Sequence, residues 1–247
     1  MSTYPQKATL NPVDSFILAS GSPRRKELLG QLIQDFKIIP SHAEELTAHP
    51  DGVRPMVLEN AKIKAGQVAR DYPDAWVLGA DTTVALAEKI FGKPSSMADA
   101  KDMLWELSAK AHQVHTGVCL INLKHGVGDV EVVTSEVYFH ELDESIIQEY
   151  YRAVDPLDKA GGYAIQTMSH LIVDRYEGSF SNVVGLPVEL LKLWFNKYKY
   201  QHGTRIRLPR CTCQKEESCL STICNEEISS HRYPALDCFS LLCHFQR

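Results

Sequence analysis

The sequence predicts an α/β protein, and three observations carry the prediction. Residues 16–19 (Phe-Ile-Leu-Ala) and 76–80 (Trp-Val-Leu-Gly-Ala) are short, continuous apolar runs of the kind that form buried strands. Stretches with helical spacing lie close to both: Leu28, Leu29 and Leu32 after the first run, residues 58–69 before the second. Strand and helix signals then continue to alternate along the chain, as they do when helices cover a sheet.

In order, the turn Ser20-Gly21-Ser22-Pro23 separates the first strand from its helix. Ser22 is a natural N-cap, and Pro23 suits a first helical turn, where its missing N–H costs nothing. A second helix is expected over 58–69 (LENAKIKAGQVA), then the 76–80 strand ending on Asp81. TTVALAEKIFGKP reads as a hairpin turning near Glu88 and Lys89. Residues 98–107 form an amphipathic helix through Ala100, Met103, Leu104 and Leu107. VHTGVCLINL and VEVVTSEVYFHEL have the β-branched content of paired strands. Asp143 can cap a helix through SIIQEYYRAV, and the loop DPLDKAGGYAIQ follows. LIVDRY and NVVGL then lead to Pro187 and a closing helix, VELLKLWFNKY.

With 247 residues, 44% hydrophobic and 23% charged, the composition is that of a globular protein with one generous domain or two small lobes. A net charge of -5 argues against a general nucleic-acid binder. No apolar run approaches the roughly 20 residues that span a bilayer. The first residues lack the basic and apolar regions of a signal peptide, so a cytoplasmic location is expected.

A domain boundary is expected near Tyr198. Residues 199–247 hold 7 Lys/Arg against 5 Asp/Glu, a balance of +2 against -7 for the remainder. They also hold Cys211, Cys213, Cys219, Cys224, Cys238 and Cys243, whereas Cys119 is alone before them. Zinc modules favour paired Cys-x₂₋₄-Cys steps, and this spacing is irregular. The expectation is a domain over 1–198 and a poorly structured Cys-rich extension over 199–247.

Several polar residues sit where chemistry can be done. Backbone N–H groups at a helix N-terminus attract anions, and Arg24 and Arg25 lie in such a turn, where the helix dipole disfavours cations. An anion bound there would explain them, although a solvated basic turn is the plainer reading of Ser-Pro-Arg-Arg alone. Asp81 is placed at a strand exit, where open α/β sheets put ligands. A turn-capping aspartate explains it about as well. Lys93 and Lys159 lie in glycine-containing loops that can approach phosphate. His112 and His115, an i, i+3 pair on a strand, point to opposite faces and cannot readily share a metal.

Together, ILASGSPRRKELL, GADTTV, GKP, AHQVHTGV, DKAGGYAIQ and NVVGLP resemble the Maf family of nucleotide pyrophosphatases, in order and over roughly 16–197. The resemblance implies a two-lobed Maf/ITPase-like fold with a long mixed sheet, flanking helices and a cleft. It implies hydrolysis of a nucleoside triphosphate between its α- and β-phosphates with a divalent cation, Mg²⁺ or Mn²⁺. Asp81 matches the family's proton acceptor. Arg24, Thr82 and Gln166 match the positions tied to base choice, in the combination similar to the dTTP/UTP branch. Glu45, Lys64, Lys93, Asp158 and Lys159 match other recurring polar positions.

Chemistry makes sense of these types. Glu45, Asp81 and Asp158 are the expected metal carboxylates, since Mg²⁺ prefers oxygen ligands. Arg25, Lys64, Lys93 and Lys159 are the expected phosphate clamps. Gln166 can pair with the N3–H and a carbonyl of a pyrimidine. The expected partner is thus a nucleoside triphosphate, with no nucleic acid or membrane and with a homodimer admitted. Two other readings stand beside this one: the same chemistry on 7-methyl-GTP or another modified nucleotide, and a nucleotide-sensing binding protein without catalysis.

Overall fold

The computed structural model describes residues 15–198. The extension over 199–247, with its six cysteines, lies outside the described residues.

The apolar run near the start forms β1 (Phe16–Leu18), and Ser22 caps α1 (Pro23–Gly30), its hydroxyl facing the Arg25 N–H. Then follow β2 (Lys37–Ile38), α2 (Val53–Asp71), β3 (Trp76–Leu86), β4 (Lys89–Phe91) and α3 (Met97–Leu107). The long hairpin β5 (Ala111–Asn122) and β6 (Val127–Phe139) precedes α4 (Glu144–Ala153), capped by Asp143 as expected. β7 (Val173–Glu177), α5 (Phe180–Val184) and α6 (Val188–Lys197) complete the described chain.

Among the described residues the strands make one seven-stranded mixed sheet of order β2-β1-β3-β5-β6-β7, with β4 beside β3. β1 runs parallel to β2 and β3, and the other pairs are antiparallel. The fold class is therefore as predicted, with one correction: Asp81 is not at a strand exit. Thr82 to Ala85 continue the strand against β5, so Asp81 lies in the middle of β3.

The long strands β3 and β5 run through two lobes. At one end, α1 and α6 cover one face through Leu29, Leu191 and Phe195, and α2 covers the other through Ala61, Ala65 and Ala69. At the far end, Val84, Val114 and Val137 pack with Leu104, Ile147 and Tyr150. No described helix is long and apolar enough to cross a membrane.

The two histidines of β5 part company as the strand geometry requires. His112 is buried in the far lobe, with Nε2 2.8 Å from the Tyr163 hydroxyl; His115 faces Thr134, with Nδ1 2.9 Å from its Oγ1. Burial pushes the His112 pKa down to about 4, and burial together with the Arg54 charge does the same to His115. Unfolding returns each to about 6.5. The unfolded chain therefore binds more protons below that value. Stability from these groups is full above about pH 6.5 and drains as pH falls toward 4, by up to ~1.4 kcal/mol per pH unit for His112. The urea midpoint is expected to decline across this window, and the part of the decline above about pH 5.5 lies outside the range in which ordinary carboxylates titrate. A flat midpoint from pH 6.5 to 4 would contradict the neutral, buried histidines.

Candidate active site

The edge of β3 opposite β5 has a gap in its ladder. β1 pairs with residues 76–78 and β4 with 84–86, which leaves 79–83 uncovered by a strand. A cavity of about 770 Å³ opens there, between the two lobes. That is room for a nucleotide-sized ligand, since small-molecule sites run from about 300 to 1,000 Å³. Asp81 and Thr82 point to opposite faces of the sheet, yet both reach the cavity because it wraps around this open edge.

Every residue expected at the site lines the cavity: Arg24, Arg25, Glu45, Lys64, Asp81, Thr82, Lys93, Asp158, Lys159 and Gln166. They fall into two groups. On the α2 side, Lys64 Nζ lies 2.7 Å from Asp81 Oδ1 and 2.8 Å from Glu45 Oε2. Asn60, one helical turn before Lys64, donates to Asp81 Oδ2 at 3.0 Å. The same amide holds Leu46 N–H at 2.7 Å and Leu46 C=O at 3.0 Å, which fixes the loop that carries Glu45. On the α1 side, Arg25 donates to Ser20 Oγ, Thr82 Oγ1 and Gly185 C=O at 3.1, 2.9 and 2.9 Å. Arg24 reaches across the cleft to Asp158, with 2.7 Å to Oδ2 and 3.1 Å to its C=O. Lys159 is tied to its own loop through Asp158 Oδ1 and the Asp155 carbonyl. Lys93 and Gln166 are exposed at the rim.

A family model described as Maf-like protein matches residues 15–198. The chain belongs to the Maf family. A dTTP/UTP pyrophosphatase of Syntrophus aciditrophicus (strain SB) is 44% identical over 183 residues, covering 72% of this chain and 89% of that protein. A dTTP/UTP pyrophosphatase of Thermococcus kodakarensis is 44% identical over 176 residues, covering 71% and 92%. A HAM1 protein from Coxiella burnetii is similar with a TM-score of 0.48 at 17% identity, covering 75% of this chain and 100% of that one.

Electrostatics in this Maf cavity favour charged carboxylates. Burial would raise the Asp81 pKa, but Lys64, Arg25 and the Asn60 hydrogen bond outweigh it and hold it below the usual range. Burial likewise works against Asp158, and Lys159 and Arg24 overcome it. Arg25 is pulled below the ordinary guanidinium range by burial, against the attraction of Asp81 and Glu45.

The expected carboxylate trio does not assemble. Glu45 and Asp81 converge on Lys64, whereas Asp158 is drawn to Arg24 and Lys159. Among the described residues, no three His, Cys, Asp or Glu side chains gather closely enough to hold a metal ion. A divalent cation nonetheless fits Glu45 and Asp81. Their oxygens already share one positive charge, the Lys64 ammonium, and such oxygens are hard donors. Mg²⁺ characteristically takes one or two carboxylates and fills its shell with substrate phosphates and water.

Sequence reasoning missed Asn60 and Ser20. Asn60 sits at i, i-4 to Lys64 and is 1% exposed, a buried amide in an otherwise small and apolar helix face. That pairing was the available signal, because a buried amide needs partners. Ser20 offered none, since serine in a turn is ordinary.

Proposed function

We propose that this chain hydrolyses dTTP and UTP to the monophosphate and pyrophosphate, with Asp81 as proton acceptor. One observation carries the reading. A buried carboxylate, held charged by a lysine and an arginine, lies in a nucleotide-sized cavity rimmed by further cations. The two relatives at 44% identity are named dTTP/UTP pyrophosphatases.

A triphosphate brings nearly four negative charges, and neutralising them is the first task of the site. Arg25, Lys64, Lys93 and Lys159 are placed to do so from several sides of the cavity. Lys64 now shares Glu45 and Asp81, and a phosphate competes for that ammonium. As Lys64 turns to substrate, the Asp81 carboxylate is released to orient a water and take its proton. The water oxygen bonds to the α-phosphorus, and the bond from that phosphorus to the bridging oxygen breaks, with pyrophosphate leaving. Glu45 and Asp81 are the residues that would hold Mg²⁺ or Mn²⁺, which would supply charge neutralisation and a lower pKa for water.

Base choice falls to Arg24, Thr82 and Gln166. Gln166 is exposed at the rim, where its amide can donate to a pyrimidine carbonyl and accept from N3–H. The Thr82 hydroxyl is already engaged by Arg25 and Thr116. Its contribution is therefore the small volume that it leaves to the base.

Pyrophosphate release across a panel of nucleotides tests the assignment. dTTP and UTP are expected to exceed dATP, dGTP and the standard purine ribonucleotides in kcat/KM, and Gln166→Glu should narrow the gap because a carboxylate cannot donate to a carbonyl. Faster turnover of 7-methyl-GTP than of dTTP would move the chain to another specificity. Tight nucleotide binding without any hydrolysis would make it a sensor.

A further inference from the structure

Two of the sequence motifs, AHQVHTGV and NVVGLP, contribute no side chain to the chemistry above, yet they meet at the back of the cavity. Thr116 is fully buried, so it cannot touch a substrate. Its Oγ1 donates to the Asn182 carbonyl at 3.1 Å and lies 3.0 Å from Thr82 Oγ1. Thr82 Oγ1 in turn accepts from Arg25 Nη2 at 2.9 Å and lies 3.3 Å from the Gly185 carbonyl.

One proton arrangement runs the whole length of this chain, since either threonine can donate to the other. A hydroxyl has one proton. With the Thr116 proton directed at the Asn182 carbonyl, Thr116 Oγ1 accepts the Thr82 proton. Thr82 then turns its lone pairs to the Arg25 guanidinium. The run is thus Arg25 N–H to Thr82, Thr82 O–H to Thr116, Thr116 O–H to the Asn182 carbonyl, and aligned bonds of this kind strengthen one another. Without Thr116, the Thr82 proton has only the Gly185 carbonyl, the acceptor that Arg25 Nε already uses at 2.9 Å.

We propose that Thr116 is a positioning residue that sets the orientation of the Arg25 guanidinium through Thr82, and so tunes the affinity of the site for the triphosphate. The inference rests on the reading of Arg25 as a phosphate clamp. Its effect falls mainly on KM, because the phosphate charge is present in both the bound substrate and the transition state.

Steady-state kinetics with dTTP on Thr116→Val, Thr116→Ser, Arg25→Lys and the Val/Lys double variant test it. Thr116→Val keeps the shape and deletes the hydroxyl. It is expected to raise KM on the order of ten-fold, the size of one misaligned charged hydrogen bond, with a smaller change in kcat. Thr116→Ser should restore KM to within about two-fold, and Thr116→Val should add less than about two-fold to Arg25→Lys, because the two act as one unit. Multiplying, independent effects would overturn the proposal, as would a Thr116→Val variant that loses only thermal stability. If the valine variant does not fold, Thr116→Ala carries the same comparison. An unchanged KM in Arg25→Lys would remove the phosphate clamp and the proposal with it. A raised KM in Arg25→Lys with a normal one in the Thr116 variants would sink this proposal alone.

Discussion

Asp81→Asn is expected to lower kcat/KM for dTTP by roughly 10²–10⁴-fold, the usual loss when a general base is removed. Asparagine has nearly the same shape and keeps one oxygen for the Asn60 amide, but it cannot take a proton from water or present a full negative charge to a cation. Folding should survive. Lys64, which would otherwise be left as a buried unpaired ammonium, keeps Glu45 at 2.8 Å. The thermal midpoint separates the two effects, since a catalytic loss with a near-native midpoint assigns the loss to chemistry. Lys64 and Arg25 hold the Asp81 pKa below the usual carboxylate range, so Asp81 stays ionised across neutral pH and supplies no acidic limb near pH 6. A variant that turns over at a near-normal rate would take Asp81 out of the mechanism.

What made the fold legible was local chemistry with a fixed address. An apolar tripeptide before Ser22 and Pro23 could hardly be anything but a strand entering a capped helix, and Asp143 announced α4 in the same way. The start of α2 was hidden because Val53, Arg54 and Pro55 precede the small apolar face that marked the helix. Proline there is read as a breaker unless its place in the first turn is known. In the sequence, the glycine and the aspartate interrupt the apolar run and so mark a strand exit at Asp81. Only pairing with β5 shows that the strand continues. The motifs mark the site residues one by one but carry no sign of their pairings. Arg24 and Asp158 are 134 positions apart, and no local signal says that a cation of one lobe will claim a carboxylate of the other. For that reason the three expected metal carboxylates are not gathered at one point of the structure. Residue type and motif position put Asp158 with Glu45 and Asp81, while the folded chain spends it on cations.

Among the described glycines, an added methyl would meet its nearest atom at Gly117, and the clash should be felt in both stability and activity. Gly117 lies opposite Asp81 in the β3–β5 ladder and faces α2. A Cβ built there would sit 2.2 Å from the Val57 carbonyl oxygen and 2.4 Å from its carbon, and Gly79 on the same face meets the Ala61 carbonyl at 2.4 Å. These are backbone atoms of a 19-residue helix, which cannot swing aside as a side chain would. The two glycines therefore let α2 rest directly on the strands. That close approach is what allows Lys64 and Asn60 to reach Asp81 at 2.7 and 3.0 Å. Gly117→Ala must lift the helix or bend the strand. The expected cost is at or above the ~1–3 kcal/mol of ordinary overpacking. Lifting α2 also lengthens the Lys64 and Asn60 contacts, so kcat should fall even in the fraction that remains folded. Urea denaturation and single-turnover hydrolysis of dTTP measure the two consequences separately. A Gly117→Ala protein with a native midpoint and native turnover would show that α2 has slack against the sheet, and that the geometry around Asp81 does not depend on this contact.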